Sequence, residues 1–467
     1  MPSIKRNFVY STILTTANYI FPLLVYPYVS RVLGVTNIGL CNFIDSIINY
    51  FILFSMMGIT VMGVREIAAC RDDCAGRSTA YSSLLTLNAV TTLVSIVVLA
   101  ICTVCIARLR ENYDLMLVGA VKLLFNLFLI EWFYKGIEDF RYITVRTIAV
   151  RVLYVAAVFI FVKNRDEVLM YFALTALTVV LNAVINIAHA RRFVKFSFKG
   201  IIFRPYLGSF LILGLYAFLN SMYTTFNVTY LGFISNDEQV GYYTTATKIY
   251  TLLLSVYTAY TGVMFPRMSS LAAEGKLDEF RQKMNGSMHA LIIFSIPVIV
   301  FMSVFARPMI LLLCGPGYEG AVTPLLIVMP LILVIGYEQI LVVQALMPLK
   351  ADKVIFRNSM LGAATGVVLN VLLVGAMGAI GSAIVWVCAE ILILLFSQIA
   401  VKRLIQMSFP ASEILKNCLF YLPLAVVLYF CNVGISNYII ALAVGAMLTI
   451  LYFGFLNAKA LKKIKLR

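Results

Sequence analysis

Apolar stretches follow one another along nearly the whole chain, separated by short polar breaks. Fourteen can be marked out, at about 8–30, 38–63, 81–107, 115–136, 143–162, 168–190, 205–234, 240–265, 287–306, 321–347, 355–376, 378–401, 413–431 and 437–457. A membrane-spanning helix needs roughly 20 mostly apolar residues, so each stretch is long enough to cross a bilayer. The pattern predicts an all-α membrane protein of about 14 transmembrane helices. It leaves no room for a soluble catalytic domain, and 62% hydrophobic residues agree with it.

Charge changes this picture by giving it a direction. A net charge of +16 would suit nucleic acid, but its distribution argues against that. Numbering the breaks alternately, with the N-terminus on side one, puts 28 cations there: Lys5, Arg6, Arg65, Arg71, Arg77, Lys135, Arg141, Arg146, Arg191, Arg192, Lys195, Lys199, Arg204, Arg267, Lys276, Arg281, Lys283, Lys350, Lys353, Arg357, Lys402, Arg403, Lys416, Lys459, Lys462, Lys463, Lys465 and Arg467. Side two holds six, namely Arg31, Arg108, Arg110, Lys163, Arg165 and Arg307. Cytoplasmic loops carry the Lys/Arg excess, so both termini and side one are expected in the cytoplasm. The basic surplus then reflects topology and contact with anionic headgroups, with no nucleic-acid partner. Lys5 and Arg6 precede an apolar run with no A-x-A site after it, which reads as an uncleaved first helix. Nine scattered cysteines, including a Cys102-x-x-Cys105 inside an apolar run, and only two histidines give no basis for a metal site.

A faint repeat at an offset of 202 residues divides the chain further. Gly39 matches Gly241, Val61 matches Val263, Met62 matches Met264 and Arg65 matches Arg267, while Ile38 corresponds to Val240. The offset sets span 2 against span 8, a unit of six helices, so the halves start on the same side and are parallel. The expected organisation is an N-lobe over 1–190, a charged inter-lobe linker over 191–204, a C-lobe over 205–401, and an appended helix pair with a basic tail over 402–467. Two parallel six-helix lobes around a central cleft are a layout of alternating-access transporters.

Few charges remain inside the spans. The cations are Lys122, Arg151 and Lys248, and the clearest acids are Asp45, Glu338 and Glu390. Each costs about 2.5–3.5 kcal/mol at a helix centre, so such residues usually face a cavity or a partner. Shifting Asp45 and Ser46 by the repeat gives Thr247 and Lys248, which puts Asp45 and Lys248 at similar heights where they could pair or flank one site. Cations lining a cleft suit an anionic substrate, and carboxylates beside them suit a coupling proton or sodium ion. The same charges can also serve as structural ion pairs or as side chains snorkelling toward headgroups. No G-x-x-x-x-G-K-[ST] sequence is present, so ATP is not expected as the direct driver.

Three stretches go beyond composition: Tyr26-Pro27-Tyr28-Val29-Ser30-Arg31-Val32-Leu33-Gly34 followed by Ile38-Gly39; Gly58-Ile59 with Gly63-Val64-Arg65-Glu66-Ile67-Ala68; and Glu131-Trp132-Phe133-Tyr134-Lys135-Gly136-Ile137-Glu138-Asp139-Phe140. Together they resemble the oligosaccharide flippases of the bacterial polysaccharide transporter family, within the multidrug/oligosaccharidyl-lipid/polysaccharide exporter superfamily. The resemblance implies a MATE-like fold and a non-enzymatic, multi-pass protein of the inner membrane. It implies a polyprenyl-pyrophosphate-linked oligosaccharide as substrate, flipped for O-antigen or capsule synthesis. Membrane lipids, and a glycan polymerase with its assembly proteins, would be the partners. Arg31 and Arg65 lie in the family-like motifs, where the resemblance suggests gate or interface roles, although capping helix ends would use them equally well. The related lipid II flippases carry arginines in early helices and span 8 that do not map onto this chain, which has Lys248 in span 8. A multidrug exporter of the same superfamily is the nearest alternative. An integral-membrane glycan polymerase is another, disfavoured by outer connections of roughly a dozen residues at most.

Overall fold

The computed structural model describes residues 4–198, 200–222 and 224–464, with side chains over 9–18, 20–198, 200–222 and 224–456. Lys5, Arg6, Lys199, Lys459, Lys462, Lys463, Lys465 and Arg467, counted above as side-one cations, have side chains outside the described residues. Every regular element among the described residues is helical: α1 (Ile4–Met56), α2 (Ile59–Ala69), α3 (Cys74–Cys105), α4 (Ala107–Glu111), α5 (Tyr113–Asn126), α6 (Glu131–Gly136), α7 (Phe140–Phe161), α8 (Val168–Ala190), α9 (Arg204–Ser221), α10 (Thr225–Ile234), α11 (Asp237–Ala273), α12 (Leu277–Cys314), α13 (Val322–Val328), α14 (Leu331–Gln339), α15 (Asp352–Leu369), α16 (Gly375–Ile405), α17 (Ala411–Gly434) and α18 (Tyr438–Ile464), with π-helical turns at Ile340–Leu346 and Asn370–Val374. Helices satisfy their own backbone, as hydrocarbon demands.

By length and composition, ten of these runs can cross a membrane, or up to twelve if two bent pairs each count as one: Arg204–Ser221 with Thr225–Ile234, bent by 55°, and Glu319–Val328 with Leu331–Leu346, bent by 40°. The chain is therefore a multi-pass membrane protein. Two of the runs are far longer than one crossing. Val9–Ala69 has 61 residues and Asp352–Ile405 has 54, about 90 and 80 Å at 1.5 Å per residue, against a hydrocarbon core of about 30 Å. Each contains a glycine in a backbone conformation that a helix cannot hold: Gly34 (φ 76°, ψ 171°) and Gly378 (φ 54°, ψ −128°). Glycine alone adopts such positive φ without strain, so these residues break the runs where the apolar pattern divides them.

The chain packs as two units, Met1–Gly241 and Tyr242–Arg467. In the first, Asp73 and Asp139 cap α3 and α7, accepting from the amides of Ala75 (2.9 Å) and Tyr142 (3.2 Å). The aromatic run of α6 forms the centre of one core, where Trp132, Phe133 and Tyr134 are buried among Ile59, Met62, Leu84 and Ile143. The unit extends past the charged linker because α9 and α10 pack on α1 and α2. A Cβ on Gly58 would stand 2.7 Å from that of Leu213, and one on Gly214 would stand 2.8 Å from that of Met57. The repeat glycines explain the rest of the overlap. A Cβ on Gly39 would lie 1.7 Å from the Asp237 carbonyl oxygen, and one on Gly241 would lie 2.3 Å from that of Val35. Gly39 and Gly241 thus mark one close helix crossing, the usual use of small residues between membrane helices.

In the second unit α15 packs on α16, and α14 lies between α12 and α16. Tyr250 of α11 meets Trp386 of α16 edge-on, with ring centroids 5.1 Å apart, and its hydroxyl donates to the Leu331 carbonyl (3.3 Å). The C-terminal pair α17 and α18 packs on α12. In both units exposed apolar side chains run along helix faces, as at Val90, Leu93, Val94, Val97, Ile101 and Val104 of α3. Such a face suits hydrocarbon, not water.

Candidate functional site

An ion pair links two helices inside the first unit. Lys122 of α5 donates to Asp45 Oδ1 of α1, and Asn49, one turn along α1, donates to Asp45 Oδ2 at 3.0 Å. Gly119 makes this reach possible: a Cβ there would stand 2.5 Å from Ile48. Gly119 is one turn from Lys122 and Ile48 one turn from Asp45, so the glycine brings the helices together beside the pair. The Lys122 side chain is 15% exposed and that of Asp45 35%, so the pair borders open space. The sequence suggested Lys248 as a neighbour for Asp45; within its own unit, Asp45 is held by Lys122 and Asn49.

Arg151 of α7 is partly buried, with its guanidinium 5.9 Å from the Phe21 ring of α1. Its Nη1 is buried with no hydrogen-bond partner, an unusual state for a donor in apolar surroundings. Both embedded cations of the first unit therefore adjoin α1. Arg31 is exposed on α1, three residues before the Gly34 break. Arg65 is 63% exposed at the side chain, where Nε and Nη2 clasp Glu66 Oε1 (3.0 and 2.9 Å) and Nη2 also reaches Ser209 Oγ of α9 (3.3 Å). It ties α2 to α9 at a surface.

Lys248 lies exposed on α11 in the second unit. Glu338 of α14 and Glu390 of α16 are neighbours there, and Trp386 Nε1 donates to Glu390 Oε1 at 2.9 Å. Glu390 is buried. Two neighbouring carboxyl groups can hydrogen bond to each other only when one of them carries a proton.

Two further arrangements escaped the sequence reading. Arg146, counted there among cytoplasmic-edge cations, is buried on α7 with its side chain only 3% exposed. It donates to Glu131 Oε1 (3.0 Å), Thr147 Oγ1 (2.9 Å) and Asn186 Oδ1. Tyr142 also donates to Asn186 Oδ1 (3.0 Å), and Tyr134 donates to the Asn186 carbonyl (2.5 Å). The motif from Glu131 to Tyr134 thus supplies the anion and one hydroxyl of a buried network. The sequence signal was the acid opening an aromatic run, followed 15 residues later by an arginine. Near the Gly39 crossing, Arg108 pairs with Asp237 (2.6 Å), donates to the Ser235 carbonyl (2.8 Å) and lies 4.6 Å from the Phe43 ring centroid.

Known proteins share this architecture. A protein of Escherichia coli (strain K12), provisionally named an O-antigen transporter, is 24% identical over 355 residues, covering 74% of this chain and 84% of that one. Among solved structures, the lipid II flippase MurJ in an inward closed conformation superposes with a TM-score of 0.81 at 15% identity, covering 97% of this chain and 100% of that one. An inward-facing multidrug-resistance MATE family transporter of the MOP superfamily does so with a TM-score of 0.67 at 14% identity, over 83% and 96%. At such identities the structural likeness shows the fold, that of the MATE-like transporters. Residues 4–272, more than half of the chain, match the family described as polysaccharide biosynthesis protein, and the chain belongs to that family.

Proposed function

We propose that this protein is a flippase for polyprenyl-pyrophosphate-linked oligosaccharides. It would carry them from the cytoplasmic to the outer leaflet of the bacterial inner membrane for surface polysaccharide synthesis. Family membership, the likeness to an O-antigen transporter and the transporter fold support that class. The observation that carries the substrate's charge is the Lys122–Asp45 pair, with Arg151 on the neighbouring helix. A pyrophosphate entering beside Lys122 can replace Asp45 as counter-ion, and the unpartnered Nη1 of Arg151 offers a second donor. Asp45 lies 11 residues after Gly34 and Phe21 lies 13 before it. If the break at Gly34 reverses the chain, both stand about 16–20 Å from it, at similar depths in the membrane.

The remaining features complete the reading. Breaking the two double-length runs at Gly34 and Gly378, and counting each bent pair once, accommodates fourteen crossings. The 28 to 6 cation asymmetry supports a reading with both termini in the cytoplasm. The repeat then defines lobes 1–190 and 205–401 joined by the linker 191–204, with 402–467 appended. Repeat boundaries need not coincide with packing units, because α9 and α10 belong to the second repeat yet pack against α1 and α2. Lys248 would serve the substrate from the second lobe. Glu338 and Glu390, neighbours with Glu390 buried, would couple transport to a proton gradient, and Asp45 would exchange partners as substrate binds. Arg31 and Arg65 would act at gates or interfaces, and a glycan polymerase would receive the product.

Deleting the gene is expected to abolish surface polysaccharide while lipid-linked oligosaccharide accumulates inside the cell, and the cloned gene should restore both. Undiminished surface glycan in the deletion strain, together with dye efflux that depends on this chain, would point to the multidrug reading instead.

A further inference from the structure

A cavity of about 420 Å³ opens in the first unit, between the early turns of α3, the end of α8 and the linker that follows it. Its walls are mainly apolar, with Leu85 and Ala89 from α3, Phe128 from the turn after α5, and Ile187 from α8. The fourth wall is built by an unusual piece of chain. Residues 194–198 contain no helix, and alternate side chains, Val194, Phe196 and Phe198, line the cavity. This period of two is that of extended backbone.

The linker is fixed in place by the helix beside it. Ser78, Ser82 and Ser83 of α3 accept hydrogen bonds from the amides of Lys195 (3.3 Å), Ser197 (3.1 Å) and Ile202 (3.1 Å). Arg77 Nη2 donates to the Phe193 carbonyl (2.8 Å). Phe196 and Phe198 meet edge-to-face at 4.9 Å, yet both stay exposed, Phe198 at 78%. A pinned wall of exposed aromatic rings beside an open cavity is poorly suited to water.

Two observations say what fills it. First, the cavity ends a hydrocarbon-facing surface: on α3, Ala89 and Thr86 lie four and seven residues before exposed Leu93, on one helix face that continues to Val97 and Ile101. Second, its mouth is cationic. Arg191 lines it, and exposed Arg192 and Lys195 follow one and four residues along the chain. None of these three takes part in an ion pair among the described residues. Basic pockets between membrane helices on the cytoplasmic side suit anionic lipid headgroups.

We propose that this groove is a binding site for an anionic phospholipid of the cytoplasmic leaflet. One acyl chain would lie against α3 and α8 under the linker, and its phosphate would rest on Arg191 and Arg192. The site would hold the inter-lobe linker to the membrane surface and is distinct from the substrate site proposed above. The volume suits part of one acyl chain better than a long, branched polyprenyl tail.

Fluorescence quenching tests this on the full chain. The protein has two tryptophans, Trp132 and Trp386, and Trp132 lies 6.0 Å from the ring of Tyr81, which lines the cavity. In the Trp386→Phe variant, reconstituted into nanodiscs, phosphatidylglycerol brominated on its acyl chains is expected to quench Trp132 at a several-fold lower mole fraction than equally brominated phosphatidylcholine. The pair Arg191→Gln and Arg192→Gln should remove that preference, and Ala89→Phe, which fills the groove, should remove the quenching. Native mass spectrometry of the unaltered chain provides the same headgroup comparison without any substitution. Equal quenching by the two lipids, or none by either, would overturn the proposal. Displacement of brominated phosphatidylglycerol by equimolar polyprenyl phosphate would overturn the assignment to a phospholipid.

Discussion

Lys122→Ala is expected to lower glycan translocation by about tenfold or more, since a contact worth about 1.4 kcal/mol in the rate-limiting step corresponds to one decade. Alanine alone is an ambiguous test, because it also strands Asp45 in a low-dielectric setting, which costs stability of its own. The double variant Asp45→Asn with Lys122→Gln separates the two effects. It replaces the ion pair by neutral groups of similar shape that still hydrogen bond, so folded protein should return to near the parent level. Translocation should stay low, because the cation that meets the pyrophosphate is gone. Quantifying surface polysaccharide beside membrane-inserted protein checks both parts. Transport at the parent rate in the double variant would make the pair purely structural.

The second large effect concerns stability. Glu131→Gln leaves Arg146, with its side chain 3% exposed, without its anion. Breaking a buried pair from one side costs about 3–5 kcal/mol. Glu131 is itself 38% exposed, and Arg146 keeps Asn186 and Thr147, so the expected loss is about 1–3 kcal/mol. Removing both charges with Glu131→Gln and Arg146→Gln leaves no stranded ion and should be milder than Glu131→Gln alone. Thermal midpoints in one detergent, read by the fraction that remains monodisperse, check the order. A double variant less stable than Glu131→Gln would show that the network is held by Arg146 hydrogen bonds and not by its pairing with Glu131.

These two pairs show how far a sequence carries. The apolar runs, the divisions between them and the charge asymmetry are one-dimensional signals, and hydrocarbon imposes them directly on composition. The Gly39 and Gly241 match was visible as a repeat, and its physical reason is a helix crossing too tight for a side chain. Which embedded charges meet is set by helix rotation and register, and no spacing rule reaches that. Asp45 was legible as an embedded acid, but Lys122, its partner, lies 77 residues away on another helix. Glu338 and Glu390 were both legible as embedded acids, and their meeting across α14 and α16 was not. Arg146 was misplaced for a related reason. It lies near the start of an apolar run, where loop and core are separated by a single turn, and only Glu131 and Asn186 beside it show that it is buried.

The proposed function requires that this chain move an anionic lipid-linked glycan. The most direct measurement uses proteoliposomes containing the purified protein and a fluorescent polyprenyl-pyrophosphate oligosaccharide on both leaflets, with a membrane-impermeant reductant added outside that quenches the dye irreversibly. With the parent protein the quenched fraction should rise from about half toward completion, as inner-leaflet substrate is carried outward. With Asp45→Asn and Lys122→Gln together it should stay near half. A quenched fraction that stays near half with the parent protein, in vesicles that accumulate a cationic dye under a proton gradient, would contradict the flippase function.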